Sequence, residues 1–164
     1  MILFNHSVFA LEGNTGVAAY GVIANIALVA VSIFTGISQG LQPLTSVSAA
    51  ENDRKTLARG LRLSLLLALF VSALLLLTAI LFGEPITALF NKQGDAKLAA
   101  LAERGLVLYF TGFFAAGINI VCAAFAAACA RVRESFVISI LRGAVLIVPA
   151  VLFLPEIAGT DGIW

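Results

Sequence analysis

Charged residues are missing from three long stretches of this chain. None occurs between Glu12 and Glu51, between Arg62 and Glu84, or between Arg104 and Arg131. A bilayer core of about 30 Å is crossed by roughly 20 helical residues rising 1.5 Å each, so each stretch is long enough to span. A fourth apolar run, over 136–154, holds one charge, Arg142. Within lipid every backbone N–H and C=O must be satisfied internally, which leaves helices or closed barrels. The short alternating segments of a barrel are absent. The runs are apolar all round, as expected of helices surrounded by lipid and other helices.

Composition narrows the class further. Of 164 residues, 61% are hydrophobic and 12% charged, against roughly 45–50% and 25% in soluble domains. The mean hydropathy is +1.06. So few charges cannot clothe a soluble globule, and the chain is too apolar for disorder. Two cysteines do not make a disulfide scaffold. A net charge of +1 offers no broad footprint for nucleic acid. The expected fold is all-α, a polytopic transmembrane helix bundle in a multi-pass cell membrane setting. Spans are expected at about 16–41, 61–82, 106–130 and 136–154, with 1–11 as the end of a fifth helix. That opening run is too short to span, and it lacks the basic start and cleavage site of a signal peptide.

Helix punctuation falls between the spans. Gln42-Pro43 and the polar stretch 45–52 should end the first span, and Gly83-Glu84-Pro85 the second. Asp53 and Asp95 are expected N-caps, with a turn over 91–95. A tight turn over 131–135 should make the third and fourth spans antiparallel neighbours. Pro149 should kink the fourth span and Pro155 end it. The first and third connections hold Arg54, Lys55, Arg59, Arg62, Arg131 and Arg133, whereas the second holds Lys92, Lys97 and Arg104. The positive-inside rule then puts the first and third connections in the cytoplasm.

Polar groups within the spans are the candidate site. Asn25, Gln39, Gln42 and Asn119 lie in the charge-free stretches. A buried amide in hydrocarbon needs a partner. These residues either fix helix packing (for the glutamines, solvate a helix end) or line a pathway for a ligand or ion. Arg142 reads as an interfacial anchor that snorkels to the headgroups, or as a charge in a water-filled vestibule. Ser32 and Thr35 can bond their own helix backbone. Gly36 and Gly40 form a GxxxG step, expected to admit a second helix closely. Cys122 and Cys129 share a helical face without further ligands, so reduced thiols are expected there and no metal. His6 has no partner set. No catalytic constellation, phosphate loop or buried carboxylate emerges, so no enzyme is expected.

The runs Gly16-Val-Ala-Ala-Tyr-Gly-Val-Ile-Ala-Asn-Ile and Gly36-Ile-Ser-Gln-Gly-Leu-Gln-Pro-Leu resemble the multidrug and toxic compound extrusion (MATE) family, most nearly its MepA-like branch. Leu141-Arg142-Gly143 with Pro149, and the terminal Gly162-Ile163-Trp164, are similar as well. After Gln42-Pro43-Leu44 the family usually continues with an aromatic and a glycine, whereas small residues follow here. The resemblance implies a twelve-helix transporter of two lobes. This chain would be a partial C-terminal lobe over 1–164, a fragment holding helices eight to eleven and the end of seven, and requiring the N-terminal lobe. It further implies export of organic cations and amphipathic drugs by sodium or proton antiport with alternating access, and no cofactor beyond that ion. In a bacterium the inner membrane is the expected location. A lipid-linked sugar flippase of the same superfamily, or a non-transporting membrane fragment, are the alternatives.

Overall fold

The computed structural model describes residues 2–91 and 94–141. Arg142, Pro149, Pro155, Lys92 and most of the expected fourth span lie outside the described residues, as does the side chain of His6. Among the described residues all regular structure is helical: α1 (Ile2–Ala50), α2 (Arg54–Phe90), α3 (Ala96–Thr111), α4 (Phe113–Ala128) and α5 (Val132–Ile140). Gly13 breaks α1 with φ 64° and ψ −150°, a conformation open to glycine because it lacks a β-carbon. From Gly13 to Ala50, and from Arg54 to Phe90, the helices are long and apolar enough to cross a membrane. α3 and α4 together make a third candidate span, bent by 42°.

Neither proline ends its helix, although α1 does end within the expected polar stretch 45–52, at Ala50. α1 passes through Pro43 to Ala50, and α2 passes through Pro85 to Phe90. Proline removes one backbone donor and frees the carbonyl four residues back, that of Gln39 for Pro43 and of Leu81 for Pro85; the hydroxyls nearby bond other carbonyls. Near Pro43, Thr45 Oγ1 donates to the Leu41 carbonyl (2.9 Å) and Ser46 Oγ to that of Gln42 (2.9 Å). Near Pro85, Thr87 Oγ1 donates to the Glu84 carbonyl (3.0 Å), and the backbone leaves helical geometry at Phe82, with φ −123° and ψ 16°. The expected third span also begins earlier, at Ala96, and is broken at Gly112. There the Gly112 N–H reaches back only three residues to the Tyr109 carbonyl (3.1 Å). Ser72 Oγ of α2 also reaches the Phe113 carbonyl (3.1 Å), tying α2 to the chain beside the break.

The turns follow the expected chemistry. Asp53 accepts from the backbone N–H of Lys55 and Thr56 (both 3.1 Å), and Asp95 from those of Lys97 (2.8 Å) and Leu98 (3.2 Å). Each carboxylate fills donors that a helix start leaves open. Asn91 and Asp95 bond reciprocally across the 91–95 turn. α1 and α4 both end on a left-handed residue, Asn52 (φ 56°) and Ala130 (φ 59°). The next residue's N–H then bonds five back, Asp53 to Ser48 (2.9 Å) and Arg131 to Ala126 (2.9 Å). This is the Schellman geometry that closes a helix C-terminus.

α2 lies antiparallel to both α1 and the α3–α4 pair. A β-carbon on Gly60 would meet Leu41 Cδ1 at 3.3 Å, one on Gly83 would meet Glu103 Cγ at 3.3 Å, and Ser72 bonds Phe113. The first and third connections therefore sit at one end of the bundle, the end that carries Arg54, Lys55, Arg59, Arg62, Arg131 and Arg133. Packing, rather than escape from water, is what holds such helices together. Its centre is Phe34, fully buried on Gly117, with the Phe34 and Phe113 rings 5.8 Å apart. Phe113 in turn meets Phe110 at 5.0 Å and Tyr109 at 5.7 Å, both edge-on, the favoured aromatic geometry.

Candidate functional site

α1 has two unlike faces. Ile23, Ala27, Ala30, Phe34, Leu41, Thr45 and Ser48 are buried against α2, α3 and α4. On the opposite side Asn25, Ser32, Gln39 and Ser46 are exposed, each seven residues from the next. A seven-residue step returns to within about 20° of the same helical direction, so these four form one ridge. Thr35 and Gln42, also exposed and seven apart, form a second ridge beside it. Gly36, Gly40 and Pro43 lie between and around them, with Leu28, Val29 and Val47 as apolar neighbours on the same side.

The side chains on these ridges differ in what they leave available. Asn25 Nδ2 donates to the Gly21 carbonyl (2.8 Å). Ser32 and Thr35 donate to the carbonyls of Leu28 and Val31 (2.8 Å each), as their hydroxyls were expected to do. Ser46 is committed to Gln42's carbonyl. The side chains of Gln39 and Gln42 hydrogen-bond to no other described residue. Each thus presents two N–H donors and one carbonyl acceptor.

Asn119 belongs to a different place. It is half-buried on α4 and lines a cavity of about 220 Å³ between α1, α4 and α5, with Val31, Thr35, Ile120, Ala123, Ile138 and Ser139. Thr35 is spent on its own helix and Ser139 Oγ donates to the Ser135 carbonyl (2.9 Å). Asn119 makes no hydrogen bond with a described residue, so its amide is the uncommitted polar group in that cavity. Ser135 Oγ donates to the Ala123 carbonyl (2.8 Å) and holds α5 against α4 at the cavity's base.

Asn25, Gln39 and Gln42 thus share one open side of α1, and Thr35 joins that side to the cavity of Asn119. The contribution of Thr35 and Ser139 was not legible, because hydroxyls bonded to their own helix look alike in a sequence whether or not they border a cavity. The GxxxG expectation is corrected. A β-carbon on Gly36 or Gly40 would meet nothing within 4 Å, so no described helix approaches there. Close approach is made instead at Gly60, Gly83 and Gly117. Cys122 and Cys129 are free thiols. Among the described residues no group of three or more His, Cys, Asp or Glu could hold a metal.

Comparison with known families decides the class. The MatE family model matches residues 1–152. The chain belongs to the MatE family. It is a membrane protein and a transporter of the MATE superfamily, whose members are transporters and not enzymes. No curated protein and no solved structure matches the MatE chain.

Proposed function

We propose that this chain forms one wall of the cleft of a secondary active efflux transporter, of the MepA-like branch. It exports organic cations and amphipathic drugs in exchange for inward sodium or protons. One observation carries the reading: the contrast between the open faces of α1 and α2. The open face of α1 sets Asn25, Ser32, Thr35, Gln39, Gln42 and Ser46 among Leu28, Val29, Ile33, Leu44 and Val47. The open face of α2 at comparable depth offers Leu63, Leu66, Leu67, Phe70, Leu74, Leu77 and Ile80. Leucine and phenylalanine suit lipid. Uncommitted amides facing hydrocarbon would forfeit their hydrogen bonds, so the α1 face belongs against a wetted cleft shared with a second lobe.

The chemistry of that face favours drugs over lipid-linked sugars. A cleft for pyrophosphate calls for basic residues, and no Lys or Arg lies between Gly13 and Ala50. Amide and hydroxyl oxygens accept from ammonium groups without the strong binding of a buried carboxylate, which would hold a cation too tightly for release. No Asp or Glu occurs within that stretch either, so the carboxylate that senses the coupling ion lies elsewhere in the transporter. An inward elementary charge releases about 2.3 kcal/mol per 100 mV, which drives the two lobes between outward-open and inward-open states.

The test is efflux of ethidium from cells making the intact transporter that carries this lobe. Gln39→Leu and Gln42→Leu each remove groups worth about 1–1.5 kcal/mol to a bound ligand, which is roughly a tenfold loss of transport. Leu74→Ala on α2 serves as the control. Unchanged efflux in both glutamine variants, at equal protein levels, would show that the α1 face does not line the pathway.

A further inference from the structure

Beyond transport, the outer face of α2 is built like the complement of a single lipid molecule. Lys55, Arg59 and Arg62 are spaced four and three residues apart, so they stand on one side of the first turns of α2. All three are exposed, and no ion pair holds any of them among the described residues. The same side continues without a break through Leu66, Phe70 and Leu77, exposed by 52%, 66% and 51%. The opposite side is the one that packs inward, through Gly60 against Leu41 and through Ser72 against Phe113.

The dimensions agree with one leaflet. Lys55 to Arg62 covers about 10 Å of helix, comparable with the headgroup layer, which is roughly 5–8 Å deep on each side of the hydrocarbon. Half the hydrocarbon core, about 15 Å, takes ten more residues, which reaches Ser72. Positive side chains at a helix N-terminus also oppose the helix dipole. Asp53 alone caps this end. Its carboxyl is held below the usual aspartate range chiefly by the Thr56 hydroxyl and amide, with Arg59 a minor influence. Among the described residues no carboxylate forms an ion pair with the cationic ridge, which leaves it open to an outside anion.

We propose that this face of α2 binds an anionic diacyl phospholipid. The phosphate sits among Lys55, Arg59 and Arg62, and an acyl chain runs along Leu66 and Phe70. The arrangement joins charge and apolar surface on one ridge, which a scattered basic end does not do. Arg131 and Arg133 lie at the same end of the bundle but lead into α5, away from this ridge.

Native mass spectrometry of the detergent-solubilised 164-residue chain tests the proposal, with equimolar phosphatidylglycerol and phosphatidylcholine present. The wild-type chain retains phosphatidylglycerol over phosphatidylcholine by roughly tenfold. The triple variant K55Q/R59Q/R62Q loses that preference. R131Q/R133Q, neutralised at the same end, keeps it, and so does the charge-conserving R59K/R62K. The single variants R59Q and R62Q lower the preference partway, and they read the same quantity if the triple variant misfolds. Soluble glycerol phosphate does not displace the lipid. Preference surviving in the neutralised α2 variants, equal loss in R131Q/R133Q, or displacement by glycerol phosphate would each overturn the two-part site.

Discussion

The ring of Phe34 occupies the space that a side chain on Gly117 would need. A β-carbon built on Gly117 would stand 2.7 Å from Phe34 Cε1 and 3.0 Å from Cδ1. Phe34 is fully buried and cannot swing aside. Gly117→Ala therefore overpacks the junction of α1 and α4 and destabilises the bundle by about 1–3 kcal/mol. Unfolding in mixed micelles measures this. Gly36→Ala on the open face of α1, where nothing lies within 4 Å, leaves stability nearly unchanged in the isolated chain.

Ala130 supports a second prediction. It holds φ 59° at the end of α4, a conformation that costs an alanine roughly 1–2 kcal/mol. Glycine is the usual residue there. Ala130→Gly should raise stability by about 1 kcal/mol, and Ala130→Val should lower it. Thermal unfolding of the two variants side by side gives the sign.

Ser72 tests the break between α3 and α4. Its hydroxyl lies 2.8 Å from the Ala68 carbonyl and 3.1 Å from that of Phe113. With one proton it can serve one acceptor fully at a time. Ser72→Ala removes the link from α2 and costs about 0.6 kcal/mol, the average for interhelical bonds in a bilayer protein. Spin labels across the Gly112 bend should report a broader distance distribution in the variant. An unaltered distribution would mean that Gly112 and its neighbours hold the bend unaided.

Asp53 predicts a pH dependence. Its carboxyl titrates below the ordinary value of 3.8, mainly through the Thr56 hydroxyl and amide. A depressed folded-state pKa gives stability that is present above the unfolded pKa and lost as pH falls through the folded one. The start of α2 should accordingly loosen below about pH 4. Hydrogen exchange at the Lys55 and Thr56 amides reads it. Asp53→Asn still caps the helix but removes this acid sensitivity.

The caps at Asp53 and Asp95 and the turn at 91–95 were legible because they depend on neighbours within a few residues. The proline signals at Pro43 and Pro85 misled for the opposite reason. In water a mid-helix proline usually ends a helix, whereas both long apolar helices here run on through it, because lipid offers the backbone no partner outside the helix. Gly36 and Gly40 look like a packing motif in one dimension, yet the helix that would use them is not among those described. Asn25, Gln39 and Gln42 stood out as amides in an apolar run, but a sequence does not say which of two helix faces is closed. Phe34 seated on Gly117 closes one, and that leaves the other to the amides.

The order of residues alone determined that this polypeptide is made of long helices in lipid, because solvation of the backbone and the placement of charge act locally along the chain. It also determined which end is basic. Only the tertiary structure decided which side of α1 is open, where α3 and α4 break, and that Asn119 and Thr35 share a cavity. Those outcomes depend on which surfaces fit each other across the bundle, and shape complementarity between distant segments has no signature in a single strand of letters.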